Sequence, residues 1–109
     1  MKNIEFENAI ITTNKIMLEL QHWINITYEA EFEIRETDYF RWHSYSNELN
    51  RFNFPEIKQF KNKFDNLINS MHSKKVFLFG TIYTCPTFIV KQTYEELANI
   101  NVNFMLKGQ

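Results

Sequence analysis

The side chains of this 109-residue chain that could do chemistry are one cysteine, three histidines and a row of alternating glutamates. Cys85 follows an apolar run and precedes Pro86. A lone thiol attacks only as the thiolate, so it needs a helix start or a cation to lower its pKa. His22, His43 and His72 lack the spacing of metal ligands, and no second cysteine joins them. With two glycines in the chain there is no phosphate-cradling loop, and neither a nucleophile elbow nor a paired-histidine helix occurs. The residues therefore predict no catalytic site, no metal and no cofactor. The glutamates are different: Glu29, Glu31 and Glu33 on a strand project from one face about 6.6–7 Å apart. Such a row matches the spacing of phosphates along a nucleic-acid strand and suits the basic groove of another macromolecule.

The element expected to hold that row is a strand from Ile24 to Arg35, where Ile24, Ile26, Tyr28, Ala30, Phe32 and Ile34 alternate with polar residues. Tyr39 to Tyr45 alternates as well, with Phe40 and Trp42 on one face. A three-residue turn at Glu36, Thr37 and Asp38 would pair Ile34 with Phe40 and Phe32 with Trp42. The outer face would then pair Glu33 with Arg41, Glu31 with His43 and Glu29 with Tyr45. The candidate partner-binding residues are Glu29, Glu31, Glu33, Glu36, Asp38, Tyr39, Arg41, His43 and Tyr45, since aromatics and arginine commonly anchor interfaces.

An amphipathic helix at about residues 55–71 follows, begun by Asn53, Pro55 and Glu56 and carrying Ile57, Phe60, Phe64, Leu67, Ile68 and Met71 on one stripe. Val76 to Tyr83 reads as a central strand, Thr87 to Gln92 as the next after the break at Pro86, and Ile100 to Leu106 as the last. Tyr94 to Ala98 reads as a turn or one helical turn. Residues 5–21 read as a second helix, although Ile10-Ile11-Thr12-Thr13 is a poor helix interior. The predicted fold is one α+β domain over residues 1–109, with a mostly antiparallel sheet of about five strands packed against two helices.

Composition sets the class. The chain is 44% hydrophobic and 17% aromatic, enough for one core. No apolar run is long enough to span a bilayer, no leader pattern is seen at the start, and the single cysteine suits a reducing compartment, the cytoplasm. A net charge of −1 argues against direct nucleic-acid binding. Charge is uneven: residues 1–38 hold eight acids and three bases, while residues 39–75 hold seven bases and three acids. The two blocks either neutralise each other or leave an acidic face for a basic partner.

Two resemblances bear on function. Thr84-Cys85-Pro86-Thr87-Phe88 resembles the Cys-Pro-x-Cys turn of thioredoxins and glutaredoxins, but Phe88 replaces the second cysteine and only 21 residues follow it. Phe54-Pro55-Glu56-Ile57-Lys58-Gln59-Phe60, Pro86-Thr87-Phe88-Ile89-Val90-Lys91 and Ile100-Asn101-Val102-Asn103-Phe104 are similar in pattern to small immunity proteins of bacterial polymorphic-toxin and contact-dependent inhibition systems, the WapI-like group among them. That resemblance covers roughly residues 24–106. It implies a cytoplasmic, non-enzymatic inhibitor whose partner is a protein, a basic toxin domain such as a nuclease, with no role for a membrane. The alternatives are a single-cysteine redox domain centred on Cys85 and a homo-oligomeric regulatory domain joined through a sheet edge.

Overall fold

The computed structural model describes residues 3–78 and 80–108. Its elements are α1 (Ile4–Ile26), β1 (Glu31–Arg35), α2 (Glu36–Leu49), α3 (Pro55–Asn69), β2 (His72–Val76), β3 (Gly80–Pro86) and α4 (Thr87–Leu106). The α+β class holds. The five-strand sheet does not: helices dominate, and the described residues form a three-stranded antiparallel sheet in the order β1-β3-β2.

α1 begins at Asn3, whose side chain accepts the Phe6 N–H, with Glu5 and Glu7 in the first turn. It covers the helix expected at 5–21 and runs one turn further. Thr12 is tolerated inside it because its hydroxyl donates back to the Asn8 carbonyl at 3.2 Å, and Thr13 because its hydroxyl is taken up by Asn101 of α4. α3 is the predicted amphipathic helix, with Pro55 at its start and Ile57, Phe60, Phe64, Leu67 and Ile68 buried. Each helix packs on two others: α1 and α3 both lie against α2 and α4, while α2 and α4 also touch β1 and β3. The result is a ring of four helices with a sheet laid against two of them, elongated at 54 × 23 × 19 Å.

Five expected strands are corrected. Of the alternating run from Ile24 to Arg35, only Glu31–Arg35 is a strand; Ile24–Ile26 is the last turn of α1. Tyr39–Tyr45 lies in helix α2, so no hairpin turn exists at 36–38. Its buried side chains, Trp42, Ser46 and Leu49, recur at helical spacing, while Phe40, the proposed strand partner of Ile34, is 54% exposed. Thr87–Gln92, Tyr94–Ala98 and Ile100–Leu106 are all parts of α4, a 20-residue helix whose inward stripe is Val90, Thr93, Leu97, Asn101 and Phe104. Two polar members hid that stripe. Asn101 is buried because Thr13 donates to its Oδ1 at 2.7 Å and its own Nδ2 donates to Asn14 Oδ1 at 3.0 Å. Val76–Tyr83 is not continuous: β2 ends at Val76 and β3 begins at Gly80, with Leu78 and Gly80 in the left-handed region at φ 75° and 74°. Apolar composition concealed the turn, because Phe77 and Leu78 are exposed rather than central.

Candidate partner-binding surface

β1 buries Phe32 and Ile34 and exposes Glu31, Glu33 and Arg35. Phe32 sits against Trp23 and Trp42 with ring centroids 6.1 and 6.0 Å away, so the inner face of the strand is locked into the core. The segment before it is held by α4: the Thr87 N–H donates to Ala30 O at 2.8 Å, and its hydroxyl donates to Glu29 O at 2.6 Å. The first of these bonds sets the phase of the ladder. Ala30 being bonded to Thr87, the pairs Phe32–Cys85 and Ile34–Tyr83 also exchange hydrogen bonds, and Glu31, Glu33 and Arg35 occupy the alternate, non-bonded pairs. Pro86 faces Glu31 in such a pair, so its missing N–H costs the ladder nothing.

Glu29, Glu31 and Glu33 are exposed, and none has an ion pair among the described residues. Beside them Tyr28 is 92% exposed. An open depression of about 260 Å³ runs between these residues and Ile26 at the end of α1. A second, of about 710 Å³, shares Glu33 and extends by Ile34, Arg35 and Trp23 to Ile82 of β3 and Val76 of β2.

The other candidate residues lie elsewhere. Because 36–49 is helical, Glu33–Arg41, Glu31–His43 and Glu29–Tyr45 are not cross-strand pairs. Glu36 and Asp38 fall in the first turn of α2, where a carboxylate faces the positive end of the helix dipole. Arg41 reaches α1 instead, pairing with Glu19 at 2.5 Å and with Asp38 at 2.6 Å. Burial alone would raise the Glu19 carboxyl, but hydrogen bonds from Arg41 and from Trp42 bring it below the ordinary range. Tyr39 stacks flat on Tyr83 with centroids 3.6 Å apart, and burial pushes its hydroxyl pKa upward. His43 is exposed and edges onto Tyr39. Tyr45 is half-buried under the Lys15 ammonium. The nine residues thus divide into exposed glutamates, Glu31 and Glu33 on β1 and Glu29 in the bend before it, and residues of α2, of which Asp38, Tyr39, Arg41 and Tyr45 touch α1 or β3.

Sequence reasoning missed Trp23, Ile26, Tyr28 and Thr87. Ile26 and Tyr28 were assigned to a buried strand face, yet the alternation that placed them there ends at a helix and a bend. Thr87 carried a faint signal, a hydroxyl directly after the Pro86 break.

Cys85 is buried at the end of β3 opposite Phe32. Desolvation, aided by Glu31, pushes its pKa up to about 11, so at neutral pH it is a thiol and not an attacking thiolate. Among the described residues no three of His, Cys, Asp and Glu converge as a metal site, and no helix is long and apolar enough to cross a membrane. No family model matches the chain, and neither a curated protein nor a solved structure matches it.

Proposed function

We propose that this domain acts by binding rather than catalysis: it is an inhibitor of the immunity type that works in the cytoplasm and neutralises a basic toxin domain. One observation carries the reading. The chain holds six of its carboxylates against cations, Glu19 and Asp38 on Arg41 and the others in Lys15–Glu48, Lys61–Asp65, Lys63–Glu96 and Lys107–Glu56. At Glu29, Glu31 and Glu33 it leaves three in a row exposed, with Tyr28 beside them. Like charges held close destabilise the free protein, and a cationic partner relieves them while steering its own approach.

Growth protection tests this. Each reading frame flanking the gene is expressed in a host with and without the chain. One frame should arrest growth, and the chain should restore it. The triple variant Glu29→Lys, Glu31→Lys, Glu33→Lys should fold, by circular dichroism, yet fail to protect. If no flanking frame is toxic, or the triple variant protects as well as the parent, the reading is wrong.

A further inference from the structure

β1 is an edge strand: β3 pairs with one side, and no strand among the described residues pairs with the other. The ladder phase fixed by Thr87 and Ala30 turns the N–H and C=O groups of Glu31 and Glu33 and the N–H of Arg35 outward to that free side, while the Arg35 carbonyl, at the N-cap of α2, opens the helix. These are backbone groups with unmet hydrogen-bonding capacity, and two open depressions border them. We infer that the free edge of β1 takes up an extended segment of the partner as a fourth strand, one whose residues alternate between basic and apolar. This rests on the reading of the domain as a binder of a basic protein and adds the mode of recognition.

The chemistry of the occupant follows from the two sides of the strand. On the outer sheet face, Glu31 and Glu33 would stand about 4.5–5.5 Å, Cβ to Cβ, from the partner's facing residues. Cations there are favoured and acids are opposed. Arg35 occupies the next outward position, so the favoured cations number two, opposite the glutamates, and a neutral or acidic residue suits the third place. The intervening residues turn toward Trp23 and Ile26, which line the two depressions, and apolar side chains fit there. Main-chain bonds supply affinity and alternate side chains supply choice, as in other cases of strand addition. A second copy pairing antiparallel over the whole of β1 would set Glu31 opposite Arg35 on either side but Glu33 against Glu33 at the centre, a like-charge contact that a basic segment avoids.

Peptide binding to the intact protein tests the inference apart from the protection assay. The probes are a peptide of alternating lysine and valine, its acidic counterpart with glutamate, and the lysine peptide N-methylated at alternate amides in each of the two phases. The lysine peptide should bind, the acidic one should not, and one N-methylated phase alone should lose at least about tenfold in affinity, the worth of about 1.4 kcal/mol of hydrogen bonding. Bound peptide should slow amide exchange at Glu31 and Glu33. Glu33→Pro removes an outward N–H without touching the β3 ladder, and it should weaken binding about tenfold more than Glu33→Gln. Equal binding of both N-methylated phases would overturn strand addition while leaving charge-driven capture, and so the proposed function, intact. Failure of the lysine peptide to bind at all would overturn it too. So would self-association of the unliganded chain that Glu33→Pro abolishes, since that would assign the edge to a second copy.

Discussion

β1 and β2 flank the same central strand, yet β1 buries Phe32 and Ile34 while every residue of β2 except the half-buried Val76 is exposed. β1 is clamped at both ends: Thr87 of α4 holds its start, and it runs without a loop into α2, which Arg41 and Trp42 tie to Glu19. Among the described residues β2 pairs with β3 alone, and it carries Lys74 and Lys75. Lysine on an edge strand discourages another strand from adding. One sheet thus has a guarded, cationic edge without core backing and an anionic edge set on a rigid base. A docking strand gains most from the second, because ordering the edge costs it little conformational entropy when the core has already fixed it.

The largest test of that contrast is Phe32→Ala, expected to cost about 3–5 kcal/mol in a denaturant titration, as for a fully buried aromatic. A loss near zero would mean that β1 is no better anchored than β2. Next comes the Glu19 clamp. Its carboxyl is depressed below the ordinary 4.5, so the unfolded chain takes up the proton first as pH falls. Its stabilisation is complete above about pH 4.5 and disappears as the pH drops through the folded value. Glu19→Gln should lower stability by about 1–2 kcal/mol at pH 7 and flatten this acid limb; an unchanged limb would place the acid sensitivity elsewhere. Thr87→Val removes the hydroxyl bond to Glu29 O and should cost about 1 kcal/mol, with faster amide exchange confined to β1. Lys75→Ala in β2 should stay within about 0.5 kcal/mol. A measurable rise in self-association of that variant would confirm the guarding role of the lysine edge.

The legible part of the fold was the part where one periodicity stood alone. α3 shows this best, since its apolar residues recur at helical spacing with lysines and asparagines between them. α4 was misread because its 3.6-residue stripe passes through Thr93 and Asn101, while Ile100, Val102, Phe104 and Leu106 offer a competing period of two. Val102 and Leu106 are 55% and 59% exposed, so the alternation was incidental, and the hydrogen bonds that make Asn101 a core residue come from α1, far away in sequence. Trp42 was assigned correctly to the interior but to the wrong element, because a β-strand and a helix can both bury one residue of a short alternating run. Of the candidate surface, Glu31 and Glu33 of β1 were visible in their spacing, while Glu29 lies in the bend before the strand. Their separation from Tyr39, Arg41 and Tyr45 was not, since it depends on a helix starting directly at Glu36 with no side-chain cap to announce it.

The first and last helices also meet at their outer ends. Phe6 packs on Phe104 with centroids 4.6 Å apart and on Phe54 at 6.0 Å, and a Cβ placed on Gly108 would fall on the Phe6 ring. The sheet joins the opposite ends of α1 and α4, a helix length of roughly 35 Å away. The chain order is therefore one of several that this packing permits. A short linker between the two ends, with a new opening cut at the exposed Phe77–Leu78 tip, should yield a circular permutant with the same core and an unobstructed β1.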